Sequence, residues 1–260
     1  MWARTDQTYH HTFQVDPDGV WTWRALLSDS SDDQKLYRFD PETGEGLETI
    51  DVIDDIVNAS PRNALITAIP EGYIFHRDTP SPSGIDLFHP NDIEPLSASM
   101  ADAFPQFSVG DLLISLRNLN LVGVLDRETH EFLWASRGPW YEQHDPDWQP
   151  DGTITVFNNN QGRGRSNIVR VDPNTSTASV MFPDAGPRFY SSVMGAHQRL
   201  PNGNWLILST MEGRVFEVTE TGETVREYSN IINDTYNAVV PHIEFLPLNY
   251  FDEMPKCVSQ

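Results

Sequence analysis

Short apolar runs alternate along the chain with clusters of Asp, Pro, Asn, Thr and Gly. Three of these polar clusters can be set in register on their glycines: Asp16-Pro17-Asp18-Gly19, Gln149-Pro150-Asp151-Gly152 and Leu200-Pro201-Asn202-Gly203. In such a turn proline presets φ and glycine takes the position with φ > 0, so the flanking runs form an antiparallel hairpin. An apolar strand follows each turn, over Val20 to Leu27, Thr153 to Phe157 and Asn204 to Ser209. A third strand then comes as Lys35 to Asp40, Asn167 to Asp172 and Arg214 to Thr219, and a fourth after another Gly- and Thr-rich turn, for example Glu223 to Tyr228. A further unit keeps strands two to four in Asp111 to Ser115, Leu121 to Asp126 and Glu131 to Ala135. Four-stranded units repeating every forty to fifty residues or so predict a β-propeller.

Taken in order, the first blade spans Tyr9 to about Asp51, and an irregular connection covers residues 52–83. The apolar spacing over Ile50 to Val57 suits a short helix that ends before Pro61. The second blade enters through Ile85 to Asp92, the third starts at Gln143, the fourth at Gly195, and Ala238 to Leu246 reads as a fifth inner strand. The expected fold is therefore all-β, a single propeller domain over residues 1–260 with about five to six antiparallel blades. Whether the ring closes is left open, because a propeller must pair or protect its edges. The abrupt start of the first inner strand also leaves open that an anchor, a signal or another blade precedes it.

Composition narrows the partners. A formal net charge of −21 repels nucleic acid, and no basic stripe offsets it. The acidic surface is accounted for by solubility. Asp16-Pro17-Asp18-Gly19 lacks the later ligands of an EF-hand loop and is read as a turn. Cys257 is the single cysteine and forms no internal disulfide. No apolar run is long enough to span a bilayer, and the N-terminus lacks the basic and apolar regions of a signal peptide.

The stretch Gln143 to Asn160 concentrates polar chemistry at the ends of one predicted hairpin. His144 stands beside Asp145 and Asp147, while Asn158, Asn159 and Asn160 lead into Gly162-Arg163-Gly164-Arg165. His11 and His144 lie eight residues before their turn glycines and His197 lies six before Gly203. With a side-chain period of two, all three are expected on one side of their inner strands, facing the channel. His89 and His242 fall near the starts of the second and fifth units, whereas His76 and His130 do not fit the pattern. Converging imidazoles suit proton transfer, nucleophilic attack or metal binding. Arg163 or Arg165 offers a planar donor fork for a tetrahedral oxyanion. Asn91 and Asn158 could orient imidazoles or hold the same oxyanion, and turn asparagines are equally explained by backbone geometry.

The runs Phe88 to Leu96, Gly110 to Asn120, Gly138-Pro139-Trp140 with Gln143 to Asp147, and Gln198 to Asn204 before Gly213 to Val218 together resemble the arylsulfotransferase family. The resemblance is strong over about Phe88 to Asn230 and weaker around Tyr9-His10-His11. It implies a six-bladed, periplasmic or otherwise extracytoplasmic propeller that moves a sulfuryl group from an aryl sulfate to a phenol acceptor. It further implies a sulfohistidine intermediate and neither cofactor nor metal. Carried over by position, it implies His197 as nucleophile with His242 as competitor, His144 as acid and base, and Arg163 or Arg165 as oxyanion holder. His11, His89, Asn91 and Asn158 would bind substrate. Two other classes remain in view: a metal-dependent hydrolase or lactonase-like propeller using Asp92, Asn91, His144 and Asp145, and a non-catalytic binding propeller.

Overall fold

In a computed structural model, which describes residues 2–3, 8–25, 34–68, 87–182, 186–247 and 249–253, sixteen strands form four antiparallel sheets of four. The first sheet holds β1 (Thr8–Asp16), β2 (Gly19–Ala25), β3 (Lys35–Phe39) and β4 (Gly46–Asp51). The second holds β5 (Pro90–Pro95), β6 (Leu112–Leu116), β7 (Leu121–Leu125) and β8 (Phe132–Ser136). β9 (His144–Trp148), β10 (Ile154–Asn158), β11 (Asn167–Asp172) and β12 (Thr177–Val180) make the third, and β13 (Ala196–Arg199), β14 (Trp205–Ser209), β15 (Arg214–Val218) and β16 (Thr224–Ser229) the fourth. Each is a simple meander. The inner strands pack in turn, β1 by β5, β5 by β9 and β9 by β13, so the sheets are successive propeller blades.

The blades bury both faces, which is why their strands read as almost unbroken apolar runs. Trp21, Trp23, Leu36 and Ile50 of the first blade pack against Ile93, Leu112 and Ile114 of the second. Leu113, Val122 and Val124 on the opposite face meet Ile154, Val156 and Val169 of the third. Phe157 and Ile168 then meet Trp205, Ile207 and Phe216 of the fourth. Each side chain so buried contributes about 1.5–3 kcal/mol, so the seams between blades hold the inner strands in place. The Gly152 turn is also a seam: its φ is +80°, and a Cβ there would lie 2.7 Å from the Ala103 carbonyl oxygen of the second blade.

Two expectations are corrected here. The helical segment expected to end before Pro61 is followed directly by another that Pro61 begins: α1 (Pro61–Ile66) carries proline in its first turn, and the Ser60 hydroxyl accepts from the Asn63 N–H at 3.2 Å. The helical spacing before it is real but forms a turn of π-helix at Val52–Ile56 and a 3₁₀ turn at Val57–Ala59. Second, Ala238 to Leu246 is not a strand, and the described residues after β16 make only the isolated bridge Ile231–Asn237. Pro241 lies inside that apolar run, where it removes a ladder donor. Four blades therefore stand among the described residues where five to six were expected. Ile85, Asp86 and His76 lie outside the described residues.

Candidate functional site

Two inner strands, β1 and β9, contain a residue in the left-handed region, and a third such residue stands just before β5. His11 has φ 66°, His89 has φ 45° and Asp145 has φ 52°. Register shifts accompany them, between His10 and Phe13 in β1, between Pro90 and Asp92 in β5, and between Val156 and Phe157 opposite β9. A bulge re-aims the side chains beyond it. The phase shared by His11, His144 and His197 on paper assumed unbroken alternation, and that assumption fails in β1 and β9 while β13 keeps regular pairing.

The bulges gather one layer of histidines. The ring of His11 lies 4.8 Å from that of His10, 5.2 Å from that of His89 and 6.4 Å from that of His144. His10 Nδ1 and His11 Nδ1 are 2.5 Å apart, and His10 Nε2 is 3.1 Å from Gln34 Oε1. His144 is buried, with Nδ1 2.8 Å from Asn159 Oδ1. Asn159 Nδ2 donates to the carbonyls of Ser191 and Met194, at 2.9 and 2.5 Å, so its Oδ1 is the acceptor. His144 therefore carries its proton on Nδ1 and its lone pair on Nε2. Desolvation, followed by the His10, His89 and His144 imidazoles and the Arg117 guanidinium, lowers the His11 pKa to about 3. Desolvation, only partly opposed by hydrogen bonds to Asn159 and the Glu142 backbone, lowers that of His144 to about 4, with Arg117 and His89 contributing. Both rings are neutral bases near pH 7.

A second layer lies deeper along the same strands. The hairpins of blades three and four end in the equivalent pairs Trp148–Ile154 and Arg199–Trp205, so counting back sets His197 level with Pro146, two residues from His144. His197 Nδ1 is 3.0 Å from Asp145 Oδ2 and its Nε2 is 2.7 Å from Thr155 Oγ1. Its backbone N–H donates to the same Asp145 oxygen at 2.5 Å, and its ring stacks on Trp205 at 5.9 Å. Asp92 and Glu94 of β5 face Asp145 and Asp147 of β9 here. Among the described residues no lysine or arginine pairs with any of the four carboxylates. Burial, then mutual repulsion, pushes the Asp92 and Asp147 carboxyls well above the usual range. Burial raises Glu94 to about 8 against the opposing hydrogen bond from the Trp148 N–H. Asp145, Asp147 and His197 each offer a ligand atom within 4.8 Å of the others, a set of the kind that holds a divalent cation.

The predicted residues thus divide. His11, His89 and His144 come together, while His197 belongs to the carboxylate layer with both ring nitrogens engaged. Arg163 and Arg165 are exposed; Arg163 lies over the Tyr141 ring at 5.2 Å, and Arg165 borders a cavity of about 260 Å³ lined by Ile168, Met181 and Phe189. His242 is exposed, with Nε2 4.0 Å from Glu244. Asn91 and Asn158 serve the backbone. Asn91 Nδ2 donates to the Gln143 carbonyl at 2.8 Å, and Asn158 Oδ1 accepts from the Tyr141 and Asn160 N–H groups at 2.8 and 3.1 Å.

Sequence reasoning gave no role to Arg117 or Glu94. Arg117 follows β6, is paired to Glu142 at 2.5 Å, and is the guanidinium whose field reaches both His11 and His144. It stands inside the quoted run Gly110 to Asn120, but nothing in spacing alone separates it from a solvated turn arginine. Glu94 and Asp147 occupy equivalent positions in their hairpins, each one residue before the last pair, Pro95–Leu112 and Trp148–Ile154. That repeated acid was legible.

The family model described as arylsulfotransferase (ASST) matches residues 2–231. Among solved structures, a streptogramin B lyase is 14% identical over 87% of this chain and 56% of its own, with a TM-score of 0.48. The Dos1 propeller is 9% identical over 88% of this chain and 49% of its own, TM-score 0.49. Virginiamycin B lyase from Staphylococcus aureus is 14% identical over 83% and 54%, TM-score 0.41. The chain spans about half the length of these structures. No curated protein matches it.

Proposed function

The chain belongs to the arylsulfotransferase family, and from that premise we propose that its histidine layer transfers a sulfuryl group from an aryl sulfate to a phenol acceptor. In the first half-reaction His144 Nε2 forms a bond to sulfur as the bond from sulfur to the aryl oxygen breaks and phenolate departs. In the second, the acceptor oxygen attacks sulfur, the S–N bond breaks, and the phenolic proton passes to a neighbouring imidazole, His11 or His89. The observation that carries this reading is the gathering of His11, His89 and His144 with His144 neutral and its lone pair on Nε2. A neutral imidazole is the nucleophilic form. Arg117, rather than Arg163 or Arg165, supplies positive potential for the sulfuryl oxygens. The role first given to His197 passes to His144, because the His197 lone pair accepts from Thr155 and its N–H donates to Asp145.

Brief exposure to 4-nitrophenyl sulfate followed by proteolysis and mass spectrometry tests this. A sulfuryl adduct is expected on the peptide containing His144 and is expected to vanish in His144→Ala. An adduct on His197 or His242 would return the nucleophile to those positions. Absence of any adduct and any transfer with a range of aryl sulfates would favour a non-catalytic propeller.

One observation favours a second reading. The Asp145, Asp147 and His197 ligand atoms could hold a divalent cation that activates water, as in a metal-dependent hydrolase. Metal analysis of the purified protein, with ester hydrolysis measured before and after chelation, separates it from sulfuryl transfer. The extracytoplasmic placement typical of the family is taken over for this chain; no described helix is long and apolar enough to cross a membrane.

A further inference from the structure

We propose that His197 and Asp145 are positioning residues, a clamp across the seam of blades three and four that holds the bulge presenting His144. The proposal rests on the reading that His144 reacts with substrate.

Asp145 sits at φ 52°, a conformation in which a residue with a Cβ is unfavourable, and it is the residue at which the ladder between β9 and β10 slips. Without the slip, His144 keeps the phase of Pro146 and Trp148; with it, His144 pairs with Phe157 and meets Asn159. Something must hold the left-handed residue, since no glycine occupies the position. Asp145 Oδ2 receives two donors from one residue of the next blade, the His197 backbone N–H at 2.5 Å and Nδ1–H at 3.0 Å. The clamp is itself held. Thr155 takes a hydrogen bond from Gln149 at 2.8 Å and gives its own proton to His197 Nε2, which fixes the tautomer that donates to Asp145. Trp205 covers one face of the ring, and the side chain has no exposed surface. His197 thus acts on the proposed chemistry through backbone geometry, at one residue's remove.

A glycine makes the test selective, because it adopts φ > 0 without a clamp. Four variants are compared: His197→Ala, Asp145→Ala, Asp145→Gly and the double variant Asp145→Gly/His197→Ala. The main readout is the ¹⁵N imidazole spectrum of His144, assigned with His144→Gln, which reports the Nδ1–H tautomer whether or not the protein transfers sulfuryl groups. A single tautomer is expected in the native protein and in both glycine-containing variants, and an averaged pattern in His197→Ala and Asp145→Ala. With 4-nitrophenyl sulfate, kcat is expected to fall about 10²-fold in the two alanine variants with KM within about twofold, and to recover in the double variant. His197→Asn, whose amide can donate from near the Nδ1 position, should retain the native spectrum and serves if the alanine variant does not fold. The clamp is overturned if His197→Ala keeps the single tautomer, or if the double variant loses it as fully as His197→Ala. A single tautomer in the native protein and both glycine-containing variants, with averaging in His197→Ala and Asp145→Ala but no transfer activity in any of them, would refute the chemistry and leave the clamp standing.

Discussion

The histidine layer and the carboxylate layer lie next to each other on the same inner strands, yet burial moves their pKa values in opposite directions. His11 and His144 are driven down, to about 3 and about 4, while Glu94 is driven up to about 8 and Asp92 and Asp147 rise with it. The cause is common: a low-dielectric channel disfavours whichever form is charged, so bases lose protons and acids keep them. In a chain of net charge −21, this difference matters for an anionic substrate. At Asp92, Glu94 and Asp147 burial favours the neutral form, which limits the negative charge that the proposed aryl sulfate would meet near the imidazoles.

The sharpest break in the comparison is His144→Ala, which removes the proposed nucleophile and leaves the acids in place. Transfer from 4-nitrophenyl sulfate to a phenol is expected to fall about 10³-fold or more, measured as kcat/KM. Arg117→Ala should come next, at about 10²-fold, because it withdraws the one guanidinium whose field reaches both shifted imidazoles. Arg117→Ala also removes the cationic partner of the buried Glu142, so Arg117→Ala/Glu142→Gln is the fairer variant and should show the same loss in activity.

Stability against pH separates the layers. For His11 and His144 the unfolded chain binds more protons than the folded one between about 6.5 and the folded values of about 3 and 4, so stability is lost as pH falls through that window. For Glu94 the folded protein binds more, so its contribution is present below about 4.5 and is lost as pH rises towards about 8. Glu94→Gln keeps an acceptor for the Trp148 N–H and removes the charge. It should raise the melting temperature at pH 8 by roughly 2–4 °C, on the order of 1 kcal/mol, and change little at pH 4. A gain of equal size at both pH values would mean that Glu94 acts through packing instead.

The outer parts of the blades were legible from sequence because each is set by a local rule. The run Asn167 to Asp172 became β11 without change of bounds, and the Asp151-Gly152 turn formed where proline and glycine placed it. The inner strands were legible in number but not in phase. β5 begins and ends in proline, and β1 and β9 each carry a non-glycine residue in the left-handed region. Period-two counting cannot register a bulge held by a contact from another blade. That is why His144 and His197, expected on one face, lie in different layers: the contact between Asp145 and His197 spans 52 residues of chain. Glu94 was passed over because it looks like an ordinary surface carboxylate until the blades close over it.

The smallest expected effect tests the limit of positional transfer from family to chain. Position after the asparagine-rich strand offers Arg163 or Arg165 as the oxyanion holder, but the Arg163 guanidinium lies 5.2 Å from the centroid of the Tyr141 ring and both residues are exposed. An exposed cation–π contact is worth about 0.5–1 kcal/mol, and a solvated arginine on a loop of Gly162 and Gly164 spends much of its charge on water. Arg163→Ala should therefore lower stability by about that amount and change kcat/KM by less than about twofold at physiological ionic strength. Repeating the measurement at low salt sharpens the result, since a steering role grows as screening weakens while a direct hydrogen bond to the sulfuryl group does not depend on it. A loss of tenfold or more at both ionic strengths would show that the loop folds inward over the substrate. It would make Arg163 a partner of Arg117 in holding the transferred group.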